Sequence, residues 1–167
     1  MDAAEISETD LQYQNQYLTF ELGEEEYAID ILSVQEIKSW GPVTPLPKAP
    51  DYLLGVINLR GAIIPVIDLR RRFALPAQEI CGTTTVVIVN AQSDAGAKVV
   101  GLVVDSVSEV YHLTDEQIQQ SSNISGEIDA TLIQGLAKIN DKLVILLNLD
   151  RLVLASIGVE AQVESDT

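Results

Sequence analysis

The segment AIDILSVQEI at residues 28–37 aligns without gaps on the segment GLVVDSVSEV at residues 101–110. Ser33, Val34 and Glu36 are identical to the residues that stand 73 positions later. Apolar and polar residues alternate in both segments, which predicts β-strands with one buried face. This pair of segments is the first indication that the chain contains two copies of one unit, because a match at a fixed offset is the signature of a repeat.

A second pair of segments follows in the same order. GVINLRG at residues 55–61 aligns on GLAKIND at residues 135–141, at an offset of 80. In each copy two residues join two predicted strands, Arg60-Gly61 in the first and Asn140-Asp141 in the second. Such two-residue turns require positive φ, which Asn, Asp and Gly tolerate better than Arg. Arg60 is therefore either a solvated side chain beside a turn glycine or a guanidinium presented to a partner.

Each copy is predicted to hold five short strands and little helix. The predicted strands cover residues 17–22, 27–31, 34–40, 56–59 and 62–68 in the first copy, and 85–90, 98–104, 107–112, 133–139 and 143–148 in the second. This pattern predicts a mainly all-β fold of two small five-stranded barrels packed side by side. We expect the first barrel at about residues 15–82 and the second at about 83–158.

The remaining segments are predicted to be short helices or tails. Pro50 can open a short helix that Gly55 ends. A capping box at residues 114–117 and a cap at Asn148 predict two more. The polar, acidic residues 1–14 and 159–167 are expected to be flexible.

Composition excludes several classes of function. The 167 residues are 47% hydrophobic and carry a formal charge of −15, which disfavours disorder and binding to nucleic acid or anionic membranes. One cysteine and one histidine cannot build an internal disulfide or a cysteine–histidine metal centre. The chain has no phosphate-binding glycine loop and no nucleophile elbow, and we expect neither enzyme activity nor a cofactor or metal. No signal peptide and no apolar run of about 20 residues is present.

The segments EYAIDI at residues 26–31, GVINLRG at residues 55–61, PVIDLR at residues 65–70 and LTDEQI at residues 113–118 resemble CheW-type chemotaxis coupling proteins. The resemblance covers about residues 15–157. It implies two SH3-like barrels with a groove between them and no enzymatic activity. It also implies two partners, the cytoplasmic hairpin tip of chemoreceptors and the regulatory domain of the histidine kinase CheA.

The resemblance also implies which residues contact each partner. The receptor contacts would fall on Val34, Glu36, Gly55, Asn58, Arg60, Val86 and Val110. The kinase contacts would fall on Ile31, Val43 and Ile124. At residue 124, some relatives have an aromatic side chain. Relatives can also carry a lysine where this chain has Leu54, so attraction to an acidic receptor tip would depend more on Arg60.

The sequence therefore predicts a non-enzymatic adaptor that couples chemoreceptors to CheA. We expect it to be cytoplasmic, to be monomeric when free, and to be recruited to membrane-anchored receptor clusters without inserting into the membrane. The alternatives are a coupling protein of a related system, such as twitching or gliding motility, a regulatory module cut from a kinase, and a small double-barrel hydrolase.

Overall fold

The computed structural model describes residues 15–76, 79–93, 96–119 and 130–165, and within these ranges the chain is mainly β. The strands are β1 (Gln16–Leu22), β2 (Glu25–Asp30), β3 (Val34–Ser39), β4 (Leu53–Leu59), β5 (Ala62–Asp68), β6 (Thr85–Ser93), β7 (Gly96–Val104), β8 (Ser106–His112), β9 (Ile118–Gln119), β10 (Ile133–Ile139) and β11 (Lys142–Leu147). The helices are α1 (Leu69–Arg72) and α2 (Leu149–Ser165), with 3-10 turns at Ile31–Ser33, Asp115–Gln117 and Ala130–Leu132. The predicted all-β class with a few short helices is confirmed.

The strands form two sheets that do not divide the chain near residue 82. One sheet has the order β3-β6-β7-β5-β4, and we call it the middle barrel. The other has the order β8-β1-β2-β11-β10-β9, and we call it the terminal barrel. The predicted barrel boundaries, about 15–82 and 83–158, are therefore wrong. β1 and β2 pair with each other, and β1 also pairs with β8 and β2 with β11, so the first two strands belong to the barrel that the chain finishes last.

The predicted duplication is visible in the strand registers. Val66 on β5 lies opposite Gly101 on β7 in a parallel pair, and the equivalent residues Leu146 and Ala28 lie opposite each other on β11 and β2. The β4–β5 and β10–β11 hairpins also share a register shift that ends at Gly55 in one and at Gly135 in the other. Each barrel therefore combines the first two strands of one copy with the last three of the other.

Three clusters of buried side chains hold the barrels together. The middle-barrel interior contains Ile64, Val66, Val86, Ile88 and Val103, and the terminal-barrel interior contains Tyr17, Ala28, Leu113, Ala137, Val144 and Leu146. The largest cluster takes residues from both sheets, among them Leu18, Phe20, Val87, Val89 and Leu102. The alternation along β6 thus buries both faces of the strand, and the two barrels are joined by a central core.

Three helix predictions have different outcomes. Residues 50–52 form a turn and β4 begins at Leu53, so the predicted helix ending at Gly55 is wrong. The capping box at residues 114–117 opens only a 3-10 turn, in which the Gln117 Oε1 atom accepts a hydrogen bond from the Thr114 N–H at 2.9 Å.

The helix capped by Asn148 is confirmed, since the Asn148 Oδ1 atom accepts a hydrogen bond from the Arg151 N–H at 3.2 Å. This helix, α2, continues to Ser165, so residues 159–165 of the predicted tail are helical. The predicted tail at residues 1–14 lies outside the described residues. Neither α-helix in the described ranges is long and apolar enough to cross a membrane.

Candidate functional site

An ion pair stands at the exposed tip of the middle barrel. The Arg60 Nη2 atom lies 2.5 Å from the Glu36 Oε2 atom, and the pair joins β3 to the β4–β5 turn. These strands are the two ends of the sheet order, so the pair links them where no backbone ladder does. The Arg60 side chain is 73% exposed, so most of its donors face solvent, and such a surface pair contributes only about 0–1 kcal/mol to stability.

The turn that presents Arg60 has the same geometry in both copies. Arg60 has φ +51° and Gly61 has φ +92°, while Asn140 and Asp141 have φ +51° and +65°. Positive φ at both central residues is the property of a type I′ hairpin turn. Because asparagine adopts this conformation more readily than arginine, the turn itself does not require the guanidinium at Arg60.

Gly55 lies beneath this tip, where another segment crosses β4. Its φ is +148°, and a Cβ atom added there would lie 2.0 Å from the Thr44 carbonyl oxygen. Thr44 and Val56 exchange both backbone hydrogen bonds, at 2.9 and 2.8 Å. The equivalent Gly135 is crossed in the same way, with an added Cβ 2.7 Å from the Gln119 carbonyl oxygen. Gly55 is therefore required by the close approach of two backbones.

The other predicted receptor residues do not all belong to one surface. Asn58 is exposed, and its Oδ1 atom accepts a hydrogen bond from the Gly61 N–H at 3.0 Å. Val34 is half-buried on β3 against the central core. Val110 is exposed on the terminal barrel, at the position equivalent to Ile37. Val86 is only 3% exposed inside the middle barrel, so its side chain cannot contact a partner in this structure, and its expected contact role is withdrawn.

The predicted kinase residues lie elsewhere. Ile31 is half-buried and packs against the central core from the 3-10 turn that connects the barrels. Val43 is half-buried and lines a cavity of about 320 Å³ together with Trp40, Leu54 and Ile80. Ile124 lies outside the described residues.

The sequence prediction did not include a second charged cluster, centred on Arg70 and Asp105. The Arg70 Nε and Nη2 atoms lie 2.7 and 2.6 Å from the two carboxylate oxygens of Asp105, and Nη1 donates to the Pro76 carbonyl oxygen. Asp105 also accepts a hydrogen bond from the Gly23 N–H at 2.8 Å. The Arg70 side chain is only 14% exposed.

The position of Asp105 makes this cluster a connection between the barrels. Asp105 stands between β7 of the middle barrel and β8 of the terminal barrel, and Gly23 lies in the β1–β2 turn of the terminal barrel. Burial raises the pKa of Asp105, but the hydrogen bonds from Arg70 and Gly23 and the charge of Arg70 outweigh burial, and the pKa lies below its usual value. No spacing rule in the sequence brings Arg70 and Asp105 together.

Comparison with known proteins gives consistent results. Residues 16–156 match the CheW-like domain. The chain is similar to the chemotaxis protein CheW of Klebsiella aerogenes, with 41% identity over 83% of this chain and 81% of that protein. It is also similar to the probable chemotaxis protein CheW of Rhizobium etli, with 36% identity over 84% of this chain and 88% of that protein. The crystal structure of the scaffolding protein TtCheW from Thermoanaerobacter tengcongensis superimposes with a TM-score of 0.75 and 34% identity, covering 83% of this chain and 86% of that one.

Proposed function

The chain belongs to the CheW-like family of chemotaxis scaffold proteins, and from this premise we propose that it couples the cytoplasmic hairpin tip of chemoreceptors to the regulatory domain of CheA. It acts without enzymatic activity, as a monomer when free, in the cytoplasm and at membrane-anchored receptor clusters. The receptor contacts the middle-barrel tip through Val34, Glu36, Asn58 and Arg60, above Gly55, with Val110 as a separate contact on the terminal barrel.

One observation carries the assignment of the receptor face. Arg60 occupies a turn position whose equivalent, Asn140, has the same φ of +51°, so the turn conformation does not account for the arginine. A guanidinium offers several donors in a planar fork that can pair with a carboxylate on a partner. The kinase contacts Ile31 and Val43, which are separate from the ion pair at the tip, and the two partners bind at the same time.

The direct test is an affinity measurement with a receptor cytoplasmic fragment and with CheA. We expect each to bind separately and both to be recovered in one complex. A panel of generic hydrolase substrates distinguishes the adaptor from a small hydrolase, since an adaptor converts none of them. A chain that binds neither partner would contradict the proposal.

A second candidate is the same coupling role in a related chemosensory-like system. The observation that favours it is a similarity to Protein FrzA of Myxococcus xanthus, with 27% identity over 84% of this chain and 86% of that protein. Deletion of the gene distinguishes the two systems, because loss of chemotactic swimming and loss of surface motility are scored separately.

Replacement of Arg60 by asparagine is expected to separate folding from receptor binding. The turn gains a residue suited to its φ and loses only a surface ion pair, so the free energy of unfolding changes by less than about 0.5 kcal/mol. Loss of a charge-assisted contact weakens receptor binding by about 1.5–3 kcal/mol, or roughly 10- to 150-fold. Thermal melting and receptor titration measure the two effects. Reduced stability with unchanged receptor affinity would identify Arg60 as a structural residue.

Replacement of Val43 by aspartate is expected to weaken kinase binding selectively. A carboxylate beside Trp40 and Leu54 is desolvated when CheA covers it, which costs about 2–5 kcal/mol of binding free energy where burial is complete. Receptor affinity is expected to be unchanged. Circular dichroism must show a folded chain, because Val43 also packs against the middle-barrel interior. A folded variant with normal affinity for CheA would remove Val43 from the kinase site.

A further inference from the structure

A groove of about 690 Å³ lies on the middle barrel beside Arg60. Its walls are mainly apolar and include Val56, Leu59, Ile63, Pro65, Val99 and Ile157. Ile63 is 63% exposed, the largest exposed fraction among the large apolar side chains described. Among the described residues that line the groove, the ionisable ones are Lys98 and Arg60, and Arg60 is also paired with Glu36; both are cations in a chain of net charge −15.

The duplication supplies an internal reference for this groove. At the offset of 73, residues 97–99 align in sequence with the acidic run at residues 24–26, and the turn glycines Gly96 and Gly23 correspond as well. Arg60 corresponds to Asn140 at the offset of 80. The two copies have the same strand registers but different charges. Lys98 corresponds to the acidic Glu25, and Arg60 corresponds to the uncharged Asn140. The shared strand registers therefore do not require the two cations.

Lys98 also has no local role that explains its charge. Its side chain is exposed near the start of β7, and within the described ranges no carboxylate lies at ion-pair distance from it. Lys98 and the exposed Ile63 line the same groove, and this combination is suited to a partner that brings carboxylates and apolar side chains together.

We propose that this groove binds an amphipathic segment of the receptor hairpin tip, with apolar side chains on Ile63 and carboxylates toward Arg60 and Lys98. The proposal rests on the proposed function and extends the receptor face beyond Arg60 to Ile63 and Lys98. The charge of the groove selects the occupant, because a chain with net charge −15 attracts an acidic segment only where its few cations are concentrated.

The test compares variants of the groove with matched variants of the terminal barrel. Ile63→Ser is paired with Leu143→Ser, since Leu143 is the equivalent residue and is 54% exposed. Lys98→Glu is paired with Lys142→Glu, which changes the net charge equally at another exposed site. Each full-length protein is titrated with a receptor cytoplasmic fragment and with CheA, at low and at high salt. Melting temperatures verify folding.

We expect Ile63→Ser to weaken receptor binding about tenfold or more, because a large apolar side chain loses its burial. Lys98→Glu is expected to weaken binding roughly tenfold at low salt and to reduce its salt dependence. The two control variants are expected to stay within about twofold of the wild type, and CheA affinity to be unchanged for all four.

Three outcomes overturn the inference, and they differ from failure of the proposed function. If Arg60→Asn weakens receptor binding while the groove variants match their controls, the groove is not part of the receptor face and the proposed function stands. If the groove variants weaken only CheA binding, the groove belongs to the kinase. If the wild type self-associates and the groove variants do not, the occupant is a second copy. A wild type that does not bind the receptor fragment overturns both proposals.

Discussion

Replacing Gly55 with alanine is expected to lower the free energy of unfolding by about 3–5 kcal/mol, from strain at positive φ and from overpacking. The new Cβ would lie 2.0 Å from the Thr44 carbonyl oxygen and 2.9 Å from the Pro45 Cα atom. These are backbone atoms that cannot rotate away, so the segment around Thr44 must move. Its two hydrogen bonds to Val56 would then be lost. Equilibrium urea unfolding measures the change.

Other glycines of the chain provide the controls for Gly55. Gly41 has open space around it and no positive φ, so Gly41→Ala is expected to change stability by less than about 0.5 kcal/mol. Gly61 has φ +92° and open space, so Gly61→Ala isolates the cost of backbone strain, about 1–3 kcal/mol. Receptor affinity measured on the folded fraction separates a structural role of Gly55 from direct contact. A Gly55→Ala protein as stable as Gly41→Ala would show that the crossing at Thr44 is not rigid.

The duplication was predictable from the sequence, but the exchange of strands between the copies was not. Alternation along β1 and β6 indicates which side chains are buried, yet it is identical whether a strand pairs within its own copy or across to the other. The strand registers are equivalent in the two copies. Pairing within one copy and pairing between the copies would therefore bury the same residues. Only the observed pairs, such as Leu18 with Val110, distinguish them.

Gly55 shows how a local signal can mislead. Proline is common in the first turn of a helix and glycine just after the last turn, and the sequence prediction used Pro50 and Gly55 in these two roles. The structure uses the same glycine to let Thr44 cross the strand, a contact between residues that no local pattern relates. Arg60 could be recognised as a candidate contact residue because the second copy has Asn140, a residue suited to the turn conformation, at the equivalent position. Its pairing with Glu36 depends on the closure of the barrel, which turn chemistry does not describe.

Replacing Arg70 with alanine is expected to lower the free energy of unfolding by about 2–3 kcal/mol, less than the cost of breaking a fully buried ion pair because the pair is partly exposed. The variant leaves the Asp105 carboxylate, which is 22% exposed, without its cation, and leaves the Pro76 carbonyl oxygen without a donor. Arg71 is the matched control, because its side chain is 45% exposed and lies 3.5 Å from Asp68. Arg71→Ala is expected to change stability by less than about 1 kcal/mol.

The same pair is expected to make stability depend on pH. Because the pKa of Asp105 is lower in the folded chain than in the unfolded one, its contribution is fully present above the unfolded-state pKa, near pH 4, and is lost as the pH falls through the folded-state pKa. The wild type should therefore lose stability below about pH 4 more steeply than Arg70→Ala, which has already lost the pair.

Since Asp105 and Gly23 connect the two barrels, the acid transition should loosen the contact between the barrels first, visible as early hydrogen exchange at the Gly23 amide. Parallel acid-unfolding curves for the wild type and Arg70→Ala would show that the pair contributes nothing to this connection.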